Sequence, residues 1–253
     1  MIVRYQVQDE VCYGWLQEGE IAKLQGDIYG EYARGEARTP LSRVKLLSPV
    51  QPSKIVCVGL NYVDHAKEVN LDLPKEPLLF LKPSTTVVGP GDPVIYPAQS
   101  KRLDYEAELG VVIKKKAYRI RENEAADYIL GYTCANDITA RDIQFADGQW
   151  TRGKSFDTFC PIGPGIVPGI DPSGLEIKLT VNGEVKQSSN TKNLIFSVPY
   201  LVHYISQVMT LLPGDVIITG TPAGIGPMQI GDEVSVYIEG IGELNNDIAG
   251  DER

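Results

Sequence analysis

Apolar residues recur in short alternating pieces over the first fifty positions, IVRYQV, VCYGWLQ and IAKLQG, punctuated by Gly14, Gly19 and Gly26. Period-two alternation puts successive side chains on opposite faces of a strand, so this stretch predicts a small β-rich module. Pro49 and Pro52 bracket a linker into KIVCVGL, a continuous apolar run of the kind a buried strand carries. NYVDHAKEV then reads as a short helix. Leu103 to Ile113, LDYEAELGVVI, reads as one strand, and Tyr128 to Ala135 as another that ends at Asn136-Asp137 before a helical ITARDIQFAD. IKLTVNGEVKQ alternates around Asn182-Gly183, a hairpin signal. An amphipathic helix follows from Val198 to Leu212, closed by Pro213-Gly214, and then two strands flank a glycine-rich TGTPAGIG. The mixture is α+β and β-rich. The expected division is a small N-terminal β domain, 1–52, and a main domain, 53–253.

Composition changes this picture modestly. With 25 Gly and 17 Pro in 253 residues the chain is rich in turns and short strands. A net charge of −9 argues against a nucleic-acid backbone or an anionic membrane surface as the main partner, and leaves an anionic small substrate open. Cys12, Cys57, Cys134 and Cys160 follow no zinc or redox spacing and are expected to be reduced and buried. MIVRYQVQ lacks the apolar core of a signal peptide and no run reaches the length of a membrane span, so the expected location is cytoplasmic.

The candidate chemistry centres on Glu106 and Glu108. Two residues apart in a strand, they share a face, and like charges held that close call for a cation, a shared proton or a basic group between them. Asp137, at the end of the next strand, can supply a third oxygen. Three carboxylates without nearby His or Cys favour Mg²⁺ or Mn²⁺ over Ca²⁺ and disfavour zinc. An E-x-E pair alone is equally compatible with a solvated strand face.

His65 and Glu68, three apart on one helix face, form either a general-base dyad or a surface pair. His203, inside VPYLVHYISQVMTLL, reads as a packing residue. NLDLPKEPL, 70–78, reads as a lid or a plain surface loop. Lys82 and Lys154, taken alone, read as surface lysines. GQWTRGKS, 148–155, fits the P-loop pattern, but a helical segment precedes it and Pro161 and Pro164 follow, which argues against a phosphate-binding loop. Asp157 stands where a G-x-S-x-G elbow would need its second glycine. Gly220, Thr221 and Gly224 suit either a close approach to an anion or a structural turn.

Taken in order, VGLNYVDHAKE, FLKPST, LDYEAELGVVI, NDITARDIQ, RGKSFDTFCPIGP and PGDVIITGTPAGIG resemble the fumarylacetoacetate hydrolase superfamily, in its acylpyruvase, oxaloacetate decarboxylase and hydroxyheptadienedioate isomerase branch. The resemblance covers about 54 to 247. It implies a mixed β-sheet roll with short flanking helices, and the N-terminal module is similar to a small extra domain of many bacterial members. It implies Glu106, Glu108 and Asp137 as metal ligands, His65 and Glu68 as a dyad on a lid helix, Lys154 as the active-site lysine, and Lys82, Arg141, Gln144 and Thr221 near substrate. It also implies a homodimer. Where animal acylpyruvases carry an arginine before the N-Y pair, this chain has Leu60.

The expectation is therefore a Mg²⁺- or Mn²⁺-dependent enzyme acting on a small 2-oxo or 2,4-dioxo acid. Acylpyruvate hydrolysis or oxaloacetate decarboxylation is placed first, with isomerisation or oxaloacetate tautomerisation as the alternative. A non-enzymatic Ca²⁺-binding β protein and a P-loop nucleotide enzyme stand further off.

Overall fold

The computed structural model describes residues 1–68 and 72–251. Among them, one twelve-stranded sheet runs through the molecule. Its centre is Ala107–Ile113, buried along its whole length, with antiparallel neighbours Ile129–Asn136 and Val216–Ile218. Val216–Ile218 in turn pairs in parallel with Ile55–Gly59, and Leu78–Lys82 closes that edge. The continuous apolar runs LGVVI and IVCVG occupy these positions because a strand covered on both faces has no solvent side to mark with polar residues.

Ile2–Val7 adds to the same sheet by pairing Ile2 with Ile166 of Cys160–Val167. The meander Glu10–Gln17, Glu20–Gly26 and Tyr32–Pro40 then extends it outward. Alternation along Ile2–Val7 divides its side chains between two cores. Ile2 packs with Ile55, Val112, Ile166 and Val216, whereas Val3 and Tyr5 pack with Cys12 and Ile21 inside the module. The β-rich expectation for this region is met, and the module is joined to the main body through strand pairing as well as through a shared core.

A five-stranded sheet containing Glu176–Val181, Glu184–Asn190, Glu233–Ile238, Gly242–Gly250 and Val94–Tyr96 packs beside the first. Asn182 and Gly183, with φ of 52° and 78°, make the hairpin turn that their sequence signals. Short helices flank the sheets: Val63–Glu68, Arg141–Asp147, Thr151–Lys154 and Val198–Val208. No helix of the described residues is long and apolar enough to cross a membrane. The four cysteines are free and buried. His203 sits on the last helix with Nδ1 2.8 Å from the Ile120 carbonyl, a structural bond.

Two boundaries differ from expectation. LDYEAELGVVI is two strands, because Leu103–Tyr105 pairs with Thr139–Ala140 and Gly226–Met228 in a separate small sheet, and the chain breaks at Glu106. The last helix stops at Val208, because Met209 is extended and Leu211 exchanges backbone hydrogen bonds with Ala117.

The linker is held by Asp215. Its fully buried carboxylate accepts bonds from Ser53 N and Oγ at 3.0 and 2.6 Å, from Lys54 Nζ at 2.5 Å and from Leu212 N at 2.8 Å. Truncation strands several donors at once, and each costs about 1–3 kcal/mol when left unpaired. Asp215→Ala is expected to lower the unfolding free energy by about 3 kcal/mol in urea titrations; a loss below about 1 kcal/mol would show that the linker does not need this anchor.

Candidate metal and proton-transfer site

Glu106, Glu108 and Asp137 are brought together: each offers a carboxylate oxygen, all within 4.8 Å of one another, and all three side chains are buried. The local cause is the strand break. Glu106 N donates to Asn136 Oδ1 at 2.9 Å, and Glu106 O accepts from Asp137 N at 2.8 Å. Asn136-Asp137 therefore clamps the backbone of the first glutamate while presenting the third carboxylate. Glu108 lies within the central strand, and its Oε2 accepts from Gly220 N at 2.6 Å. At Gly220 φ is +97° and a Cβ would meet Asn61 Cβ at 2.8 Å, so only glycine lets this amide come so close.

Three buried cations face the carboxylates. Lys154 Nζ donates to Glu106 Oε2 and Asp137 Oδ2, each at 2.7 Å. Arg141 donates to Glu106 Oε1 at 2.5 Å, Asp104 Oδ2 at 2.8 Å and Gln144 Oε1 at 2.7 Å. Lys82, with no exposed surface, donates to Asp137 Oδ1 and, at 3.0 Å, to the Ile138 carbonyl. Lys154 reaches inward because Gly153 lets its short helix lie against the preceding one; a Cβ there would sit 2.8 Å from Gln144 N. GQWTRGKS is thus no phosphate cradle: a helix precedes it, and its lysine is committed to two carboxylates.

The electrostatics separate the two glutamates. Burial works to raise the Glu106 carboxyl, but Lys154 and Arg141 outweigh it and hold it at about 2. Burial, then Asp137 and Glu106, push Glu108 well above the usual carboxylate range, against weaker opposition from Lys154 and the Gly220 amide. For Lys154, burial would favour the neutral amine, yet Asp137 and Glu106 prevail and keep it charged. Glu108 is the carboxylate that no ion pair reaches among the described residues. A hard divalent cation fits this all-oxygen trio and would supply the charge that Glu108 lacks.

The dyad also forms. His65 Nδ1 lies 2.9 Å from Glu68 Oε2, and Glu68 Oε1 accepts from Gly224 N at 3.0 Å. One loop, 219–224, therefore touches both groups: Gly220 holds Glu108 and Gly224 holds Glu68. Thr221 lies between these contacts, buried, with its Oγ1 accepting from Gln187. Residues 69–71, which include the first two of the expected lid 70–78, fall outside the described residues; beyond them, Glu76 accepts from Tyr204 Oη at 3.4 Å.

The comparisons show the family. The fumarylacetoacetate (FAA) hydrolase C-terminal family model matches residues 54–249, and an Rv2993c-like, N-terminal model matches 1–49. This chain belongs to the fumarylacetoacetate hydrolase family. Among its relatives is a human protein named oxaloacetate tautomerase FAHD2A, mitochondrial, 46% identical over 222 residues, covering 83% of this chain and 71% of that one. A solved structure described as 2-hydroxyhepta-2,4-diene-1,7-dioate isomerase from Mycobacterium marinum superposes with a TM-score of 0.93 at 42% identity, covering 100% of this chain and 99% of the other. A fumarylacetoacetate hydrolase from Exiguobacterium antarcticum gives 0.90 at 35% identity over 99% of each chain.

Several residues of this family member went unread in the sequence. Asp104 completes the Arg141 network. Asn61 ties the dyad helix to the loop, donating to Thr219 O at 2.7 Å and accepting from Phe196 N at 2.8 Å. Gln187 joins two site segments, as described below. Their signals are weak singly, since a polar residue beside an apolar run predicts burial only once its partners are known. Concavity is no better a guide: a cavity of 850 Å³ lies between Ile95, Pro97, Phe156 and Ala249, and none of Glu106, Glu108 and Asp137 lines it. The buried charges mark the site instead.

Calorimetric titration with Mn²⁺ is expected to give one site per chain, weakened at least about tenfold in Glu108→Gln and in Asp137→Asn with circular dichroism unchanged. Wild-type affinity in either variant rules the trio out. Lys154→Met leaves Glu106 and Asp137 without their shared counter-ion, and breaking such a buried pair costs about 3–5 kcal/mol. Its metal-free melting midpoint is expected to fall by about 10 °C and to recover partly in Mn²⁺; an unchanged midpoint would show that Lys154 does not neutralise the cluster.

Proposed function

We propose that this enzyme relocates a proton on a small 2-oxo dicarboxylic acid, interconverting enol and keto forms, with oxaloacetate as the first substrate to test. The carrying observation is the loop 219–224, whose Gly220 amide binds a carboxylate of the metal trio and whose Gly224 amide binds the dyad. Proton transfer and charge stabilisation are thereby held in fixed relation, which enolisation beside a carbonyl requires. The names of the human relative and the Mycobacterium marinum neighbour support proton relocation over the C–C cleavage placed first on sequence alone.

In this reading the Glu68 carboxylate accepts a hydrogen bond from His65 Nδ1–H, which keeps that hydrogen on Nδ1 and leaves Nε2 as the basic nitrogen. Because both Glu68 oxygens are engaged, the imidazole is the group that carries the proton. Glu106, Glu108 and Asp137 would hold Mg²⁺ or Mn²⁺. When bound, the cation supplies Lewis-acid stabilisation of negative charge on a 2-oxo oxygen. Lys154 and Arg141 add fixed positive charge, and Arg141 takes up Gln144 Oε1 so that the Gln144 amide nitrogen is left to donate. Lys82 is assigned to orienting Asp137, because its ammonium is fully enclosed. A homodimer, a cytoplasmic setting and a domain boundary at 52/53 belong to the same proposal; the family resemblance supports the first, and the two family models meeting between 49 and 54 support the last.

The test follows enol-oxaloacetate by ultraviolet absorbance and product by proton NMR in Mn²⁺. His65→Ala is expected to cut tautomerisation by about 10²–10⁴ while leaving Mn²⁺ affinity intact. Pyruvate appearing faster than the keto form would favour decarboxylation instead, and turnover of acetylpyruvate or fumarylpyruvate alone would restore hydrolysis as the leading reading.

A further inference from the structure

We infer that Gln187 is a positioning residue that fixes the hydrogen-bond polarity of Thr221, obliging its hydroxyl to act as a donor toward a carboxylate of the substrate. The inference rests on the functional reading above in placing Thr221 beside substrate. Gln187 is 1% exposed and makes three side-chain bonds. Its Oε1 accepts from Ala107 N at 2.9 Å, and its Nε2 donates to Thr221 Oγ1 and to Pro222 O, each at 2.8 Å.

The orientation of the amide is determined by its partners. A backbone N–H only donates and a carbonyl only accepts, so exchanging oxygen and nitrogen would lose the bonds to Ala107 and Pro222 together. Thr221 Oγ1 must therefore accept from Gln187, and its own hydrogen points elsewhere. Among the described residues no acceptor takes that hydrogen. The hydroxyl lies in the loop that bridges Glu108 and Glu68, and a donor not spent on the described residues at that place suits an anionic oxygen. A threonine whose neighbour accepted instead would spend its hydrogen on the protein.

A bulge aims Gln187 into this position. The hairpin pairs Val181 with Glu184 and Thr180 with Val185, after which regular register would set Leu179 opposite Lys186. The register slips there, and Leu179 faces Gln187. Residues directly opposite in an antiparallel pair share a face, and Leu179 is fully buried, so the extra residue turns Gln187 inward in place of a lysine. The acceptor it provides to Ala107 lies between Glu106 and Glu108, so one amide locks the metal-ligand segment to the substrate loop.

The experiment is a double-mutant cycle on Mn²⁺-loaded enzyme with oxaloacetate, read as kcat and KM separately. Gln187→Met and Thr221→Val are each expected to raise KM about tenfold or more with kcat changed less than about threefold. The double variant should be no worse than either, and Thr221→Ser should stay near wild type. Gln187→Glu keeps an acceptor for Ala107 but takes the threonine hydrogen, so it should raise KM equally; it carries the test if Gln187→Met does not fold. Unchanged KM in folded Gln187 variants, or additive losses in the double variant, overturns the inference. Calorimetric binding of malonate, a dicarboxylate that does not react, separates this from the functional reading. If no 2-oxo acid is turned over, that reading fails, and the inference still requires malonate affinity to fall about tenfold in Gln187→Met and Thr221→Val alike. No malonate binding by such a wild type would overturn it as well.

Discussion

Asp104, Glu106, Glu108 and Asp137 are four carboxylates taken out of water in one region, and desolvating each costs several kcal/mol unless positive charge comes with it. Lys82, Arg141 and Lys154 bring that charge from three different segments. The network therefore does two jobs. It makes burial of the acids tolerable, and it ties the edge strand at Lys82, the break at Glu106 and the two helices after Asp137 into one arrangement. Glu108 is served by a backbone amide alone among these acids, which concentrates the demand for a further cation at the trio.

Around this cluster the backbone is handled with equal economy. The break at Glu106 passes the chain from the small sheet to the large one, and Asn136-Asp137 satisfies the groups it frees. The loop 219–224 approaches from the other side on a glycine that no other residue could replace without collision. Gln187 and Asn61 hold that loop from beneath, the first through Thr221 and Pro222, the second through Thr219. Site geometry here depends on amide side chains as much as on the charged groups.

Much of the architecture was legible from local rules. Alternation in IVRYQV and IAKLQG specifies strands because one face must be buried, and Asn182-Gly183 specifies its turn because both residues accept positive φ. Glu106, Glu108 and Asp137 were legible as a possible trio because few arrangements leave acids so close in strands without a charge between them. Roles for Lys154, Arg141, Gln144 and Thr221 came only with the family resemblance, since a lysine or threonine in isolation carries no sign of its partners.

What the sequence by itself determined is part of the set of elements, the β-rich class and the residue types at the centre, all of which follow from period, turn chemistry and like-charge repulsion between near neighbours. Tertiary structure decided the rest. It split LDYEAELGVVI at Glu106, because pairing with strands more than thirty and more than a hundred residues away outweighs local continuity. It buried Lys82 and Lys154, because only a fold places Asp137 and Glu106 beside them. It turned Gln187 inward through a bulge that alternation cannot announce, since one inserted residue reverses which face every later side chain takes.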